Sequence, residues 1–189
     1  MVTPGGLLVV ALGPYEGQLG ERIRALKYQE ETRFAGPLGR ALGKLVPTDW
    51  QDACLVPVPL HAERLAERGY NQAALVARAA ARSSGLPVRF DLLSRSKQTR
   101  AQARLDKRGR QENAAEAFAA HCLKQPMPSV ILVDDVVTTG STFDACAAAL
   151  ALAGLAVFGA LALARADKPT HDEPNRAGSS WLAELSRSS

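Results

Sequence analysis

The sequence has little of what marks several common protein classes. Its three cysteines, Cys54, Cys122 and Cys146, lie far apart, and no Cys-x-x-Cys pair exists. An odd number of scattered thiols supplies neither a disulfide framework nor a zinc site. They read as buried or idle thiols in a reducing compartment. Long apolar runs are also missing. The stretch Leu7–Leu12 has six residues and no basic flank, too short for a signal peptide or a membrane span. The expectation is a soluble, cytoplasmic protein with no membrane span. Aromatics make up only 5% of the chain, whereas 47% is hydrophobic, as in an α/β protein built from Val, Leu and Ala. The formal charge of +4 suits a polyanionic ligand without requiring nucleic acid. With 189 residues the chain is long enough for one domain with a real core.

What is present centres on Val130–Thr142, reading Val-Ile-Leu-Val-Asp-Asp-Val-Val-Thr-Thr-Gly-Ser-Thr. Val130–Val133 predicts a strand buried on both faces, as in a parallel sheet. Asp134 and Asp135 are expected at its end. Thr138, Thr139, Gly140, Ser141 and Thr142 then lead into an alanine-rich helix. A strand, a short polar loop and a helix N-terminus make a phosphate cradle, because the first backbone N–H groups lack intrahelical acceptors and the helix dipole favours an anion. The carboxyl ends of parallel strands are also where α/β proteins collect ligands. Taken alone, Thr138–Thr142 reads equally as a helix cap; the two acids weigh against that plainer reading.

Along the chain, Leu7–Leu12 predicts a strand ended by Gly13-Pro14. Helices are expected over 18–28, with Leu19, Ile23 and Leu26 on one face, and over 34–46, with Leu38, Leu42 and Leu45 at core spacing. These two helices would form a small hood over the sheet edge. Ala53–Val58 is a strand broken by Pro57 and Pro59, so a rigid loop follows it. A helix should then run to Ser84, followed by a short strand near 88–93. Arg95–Arg110 carries seven basic residues and one acid, Asp106. It reads as a mobile loop or hairpin, and a solvated surface is its plainest explanation. A helix from Thr142 to about Ala153 and a last strand over 156–163 complete the pattern. Residues 167–189 read as a flexible tail.

With these pieces placed, the chain resembles the ComF family of phosphoribosyltransferase-like proteins, which is linked to natural competence for DNA uptake. The resemblance rests on Leu26-Lys27-Tyr28, Val56-Pro57-Val58-Pro59-Leu60 and Arg68-Gly69-Tyr70-Asn71-Gln72, together with Gln102, Arg110, Asn113 and Phe118. Val130–Thr142 is similar to the signature with which type I phosphoribosyltransferases bind phosphoribosyl pyrophosphate (PRPP). The match covers Tyr15 to Ala164. Without it, Asn71 is simply a helix cap, Arg68 a surface charge, and Lys27-Tyr28 a helix end.

The resemblance implies an α/β type I phosphoribosyltransferase fold over residues 1–166, with a mainly parallel sheet, flanking helices and a hood from residues 1–50. It implies that Asp134 and Asp135 accept hydrogen bonds from the ribose hydroxyls and help position Mg²⁺ through PRPP, without a direct protein cage. The N–H groups of Thr138–Thr142 would hold the 5′-phosphate, and Val136 and Val137 would also belong to the PRPP-binding set. Pro59, Leu60 and His61 would form the pyrophosphate loop, with charge added by Arg64 and Arg68. Lys97 and Arg100, in the basic stretch, would supply the catalytic cation over the leaving group. Single-stranded DNA contact is a second reading of that stretch, although it has no aromatic stacking residues. His121 and His171 carry no role.

Two departures from the family pattern stand out. Thr138 occupies the position at which relatives acting on 6-oxopurines have an acid. The cysteine-rich zinc module that begins many ComF proteins does not precede Pro14 here. The implied function is PRPP binding in DNA uptake, with single-stranded DNA and competence-machinery proteins as partners. The alternatives are a salvage nucleobase phosphoribosyltransferase and a PRPP-sensing regulator without turnover.

Overall fold

The computed structural model describes residues 1–95, 117–121 and 129–166. Four parallel strands form the central sheet, in the order β1 (Val9–Pro14), β6 (Val157–Arg165), β5 (Ser129–Val137) and β2 (Ala53–Pro57). The apolar run of β5 lies between β6 and β2, where neither face meets water. That position explains why it shows no polar alternation.

One face of the sheet is covered by α1 (Gly17–Tyr28), α2 (Ala35–Gly43) and α4 (Gln72–Ser84). Leu19, Ile23, Leu26, Leu38 and Leu42 pack there with Ile131, Val133, Leu161 and Leu163. Residues 9–43 therefore place a strand in the sheet and two helices on its main core. Each such leucine contributes about 1.5–3 kcal/mol by leaving water. The α2–α4 contact is close because Gly39 and Gly43 present no side chain. A Cβ on Gly39 would lie 2.5 Å from Ala79 Cβ, and one on Gly43 would lie 2.2 Å from Ser83 Oγ.

The opposite face carries α5 (Ser141–Leu152) and a two-stranded antiparallel pair, β3 (Leu93–Arg95) with β4 (Phe118–Ala120). Phe143, Cys146 and Leu150 meet Leu93, Phe118, Val130 and Leu132 in this second core. Helices on both faces of a mainly parallel sheet constitute a type I phosphoribosyltransferase-like α/β fold.

Several boundaries differ from the sequence expectation. β1 runs through Gly13 and Pro14, because an edge strand tolerates proline at its end; Tyr15 N even donates to Arg165 O at 2.8 Å. α2 stops at Gly43, which leaves Leu45 42% exposed rather than in the core. A short helix, α3 (Ala62–Arg68), fills what reads in sequence as loop, capped by His61, whose Nδ1 accepts from Glu63 N at 3.4 Å. The strand expected near 88–93 is a single bridge from Val88 to Leu55, and β3 begins at Leu93. Cys54 and Cys146 are buried free thiols. Lys97, Arg100, Gln102, Arg110, Asn113, Cys122, His171 and the tail 167–189 lie outside the described residues, as does nearly all of the basic stretch.

Candidate functional site at the carboxyl ends of β2 and β5

β5 does not end at Val133. It continues through Asp134 and Asp135 to Val137, paired with β6 as far as Arg165. The acids interrupt the apolar pattern but not the backbone ladder. Val136 and Val137 are thus strand residues, and the buried Val137 side chain packs in the core, so only the backbone of Val137 could serve a ligand. The two carboxylates follow strand alternation, and their environments differ.

Asp135 is 4% exposed and faces α1, where Lys27 Nζ lies 2.8 Å from its Oδ1. Lys27 follows the buried Leu26 in the last turn of α1, a position where a cation also complements the helix dipole. The other oxygen, Asp135 Oδ2, is buried and accepts no hydrogen bond. A buried carboxylate oxygen without a donor is costly, so a donor or cation supplied by a ligand has a ready place.

Asp134 is half-buried, and its Oδ1 accepts from Asp135 N at 2.8 Å. Its pKa is pushed up to about 8, first by burial and then by the Asp135 carboxylate, against the opposing pull of Lys27 and Arg95. The folded protein then binds a proton at this site that the unfolded chain has already released. That stabilisation is complete below the unfolded value of 3.8 and is lost as pH rises through about 8. Thermal unfolding of the wild type should therefore show stability falling between pH 4 and 8, and Asp134→Asn should flatten that slope. A slope identical in the variant would contradict the assignment. A bound cation or the ionised form needed to accept two hydroxyls would expel this proton, so ligand affinity should rise with pH over the same upper range.

The Thr138–Thr142 loop connects β5 to α5. Gly140 stands at the N-cap of α5 with φ +84° and gives no side-chain cap. Thr139 Oγ1 donates to Ser141 Oγ at 3.1 Å and accepts from Ser141 N at 3.3 Å, which shapes the turn from within. Thr138, Thr139, Ser141 and Thr142 are exposed. Beneath the loop lies a contact that nothing in the sequence announces. Thr3 is 4% exposed and packs on Gly140; its Oγ1 donates to Asp144 Oδ1 and accepts from Leu7 N. Gly5 N adds a bond to Asp144 Oδ2 at 3.0 Å. The first residues of the chain thus brace the first turn of α5.

At the end of β2, Val58 N continues the ladder to Val133 O at 2.8 Å, which sets Pro59, Leu60 and His61 beside the acidic end of β5. Asn71 fixes this loop to α4: its Nδ2 donates to Val58 O, while its Oδ1 accepts from Ala73 N as the helix cap. The cap reading of Asn71 and a role in the site therefore hold together. Arg68 donates to Gln72 Oε1 at 2.6 Å, and its guanidinium lies 5.4 Å from the Tyr28 ring centroid. Tyr70 Oη donates to Leu26 O at 2.6 Å. Three segments far apart in sequence thus meet in space: Leu26-Lys27-Tyr28, Arg68–Gln72 and Asp134-Asp135. The resemblance implied a contact of Lys27 and Tyr28 near the ligand cleft, whereas Tyr70 and Gln72 had no assigned site role from sequence; their only local signal is that polar residues directly flank buried positions. Arg64 and Arg68 face a cleft of about 340 Å³ shared with Lys27, Tyr28, Glu30 and Glu67.

The donors present fit a hydrated divalent cation held partly by substrate oxygens. Asp134 and Asp135 supply carboxylates, one with an orphaned oxygen, and no group of three or more His, Cys, Asp or Glu ligands occurs among the described residues.

The chain is 32% identical over 170 residues to competence protein F of Haemophilus influenzae, covering 84% of this chain and 72% of that protein. The chain belongs to the ComF family. It is also 32% identical over 140 residues to the DNA utilization protein YhgH of Salmonella typhimurium, covering 71% of this chain. With competence protein ComFC of Bacillus subtilis the identity is 29% over 135 residues. The chain spans 61% of YhgH and 51% of ComFC. No family model matches the chain. Among the described residues, no helix is long and apolar enough to cross a membrane.

Proposed function

We propose that this ComF chain binds PRPP with Mg²⁺ at the carboxyl ends of β2 and β5 and acts in the cytoplasm in the handling of incoming single-stranded DNA. The observation that carries the PRPP reading is Asp135 Oδ2, a buried carboxylate oxygen without a donor beside a phosphate-type loop. Ribose hydroxyls would donate to Asp135 and Asp134, and backbone N–H groups of Thr138–Thr142 would hold the 5′-phosphate. Pro59-Leu60-His61 would lie along the pyrophosphate, with Lys97 and Arg100 supplying charge to it. Bound Mg²⁺ supplies charge neutralisation of the pyrophosphate oxygens.

Within the chain's own residues, Lys27 orients Asp135 through their 2.8 Å ion pair, and Asn71 keeps the β2 loop in register with the acids. The DNA part of the reading is supported by the names of the relatives, competence protein F and DNA utilization protein. Binding of labelled single-stranded oligonucleotide should weaken steeply with salt, since phosphate contacts release counterions. A flat salt response, or no binding, would remove that part. A pyrophosphate-release assay across a panel of nucleobases separates binding from transfer: release with any base makes the chain a transferase, and none with all bases leaves a PRPP-binding protein.

A further inference from the structure

The cleft beside α3 has features that a pyrophosphate does not use. Tyr28 is 74% exposed, far more than any other aromatic among the described residues. Its ring is nonetheless held in place by the Arg68 guanidinium at 5.4 Å, itself fixed by Gln72. A solvent-facing ring held by a cation over one face leaves the other face as a stacking platform for a flat π-system. Glu30 follows the C-cap of α1 with φ +56°, in the left-handed region where glycine is usual. A glutamate there carries backbone strain that a glycine would not. Both Glu30 and Glu67 line the cleft with Arg64 and Lys27. Carboxylates repel a bare polyanion but accept hydrogen bonds from the N–H groups of a base.

We propose that this cleft is a nucleotide subsite. One nucleobase stacks on Tyr28, its amino or imino N–H groups donate to Glu30 or Glu67, and its phosphate is held by Arg64. Lys27 stays on Asp135 and marks the boundary with the ribose 5-phosphate site. Bases with an exocyclic amine (adenine, cytosine and guanine) fit the two acceptors better than thymine. A free nucleotide and one unit of a single strand present the same chemistry. The subsite deepens the PRPP and DNA reading by naming what lies next to that site, yet it is tested through residues to which that reading gives no role.

The test is titration of the full chain with dCMP, dAMP, dTMP and a short oligo-dC, for wild type, Tyr28→Ala, Tyr28→Phe and Glu30→Gly. Tyr28→Ala should weaken binding by roughly 5- to 100-fold, the size of one stacked base, while Tyr28→Phe retains it. Glu30→Gly should raise Tm by about 2–4 °C as strain is released, and should lower the preference for dCMP over dTMP. A merely structural Glu30 would give the Tm gain without the change in preference. PRPP affinity should be the same in wild type and Tyr28→Ala. If only the oligonucleotide binds through Tyr28, the occupant is a strand; if mononucleotides bind as well, it is a free nucleotide. Binding unaffected by Tyr28→Ala, or absent from the wild type for every probe, overturns the subsite and leaves the PRPP assignment untouched.

Discussion

Asp134→Asn combined with Asp135→Asn should abolish PRPP binding in calorimetric titration while the protein still unfolds cooperatively. The two carboxylates are the acceptors proposed for the ribose hydroxyls, and hydrogen bonds to a charged group contribute about 1.5–3 kcal/mol each. Loss of both, together with their share in positioning Mg²⁺, corresponds to roughly 10²- to 10⁴-fold in affinity. The fold should tolerate the exchange for separate reasons at each site. In Asp134→Asn the amide replaces a carboxyl already held largely protonated near neutral pH, because burial and the neighbouring Asp135 raise its pKa to about 8. In Asp135→Asn the amide keeps the shape of the side chain and an oxygen facing Lys27, whose side chain is 17% exposed and can recruit water. Undiminished PRPP affinity in the double variant would sink the site assignment. Loss of cooperative unfolding would instead show that the Lys27–Asp135 pair holds α1 to the sheet.

Gly140→Ala should be the most damaging single substitution in the phosphate loop. Alanine at φ +84° costs about 1–2 kcal/mol in backbone strain. Its Cβ would also lie 2.4 Å from Thr3 Cγ2 and 2.9 Å from Thr3 Cβ. Thr3 cannot simply turn away, since it is buried and its hydroxyl is shared between Asp144 and Leu7. Overpacking of this kind costs a further 1–3 kcal/mol. The total expected in denaturant unfolding is roughly 2–5 kcal/mol, with a loss of PRPP affinity exceeding about tenfold as the loop N–H groups are displaced. Thr3→Gly removes the clashing atoms but not the strain. In a double-mutant cycle, Thr3→Gly should therefore rescue part of the Gly140→Ala loss, with a coupling of about 1 kcal/mol or more. Strict additivity would show that the amino-terminal brace does not act on the loop.

The parts of the fold that were legible in sequence are those with a local cause. Val130–Val133 announces a central parallel strand through its composition alone, and Leu19, Ile23 and Leu26 mark the buried stripe of α1 through helical spacing. The errors share a cause as well. The acids at Asp134 and Asp135 end the hydrophobic signal, yet the backbone of β5 still finds partners on β6, so the strand is longer than its pattern. In α3 every residue is exposed or half-buried, so no apolar stripe marks the helix. Leu45 fits the spacing of α2, but the helix ends before reaching it.

By itself, then, the sequence determined a parallel α/β sheet, an acidic strand end and a glycine-turned loop into a helix. Each follows from the chemistry of neighbouring residues. Only the tertiary structure decided that Lys27 pairs with Asp135, that Arg68 lies over Tyr28, and that Thr3 lies under Gly140. Those contacts join segments brought together by strand order and by the layering of helices on the sheet. Periodicity and motif spacing describe one segment at a time and carry no record of which others will face it.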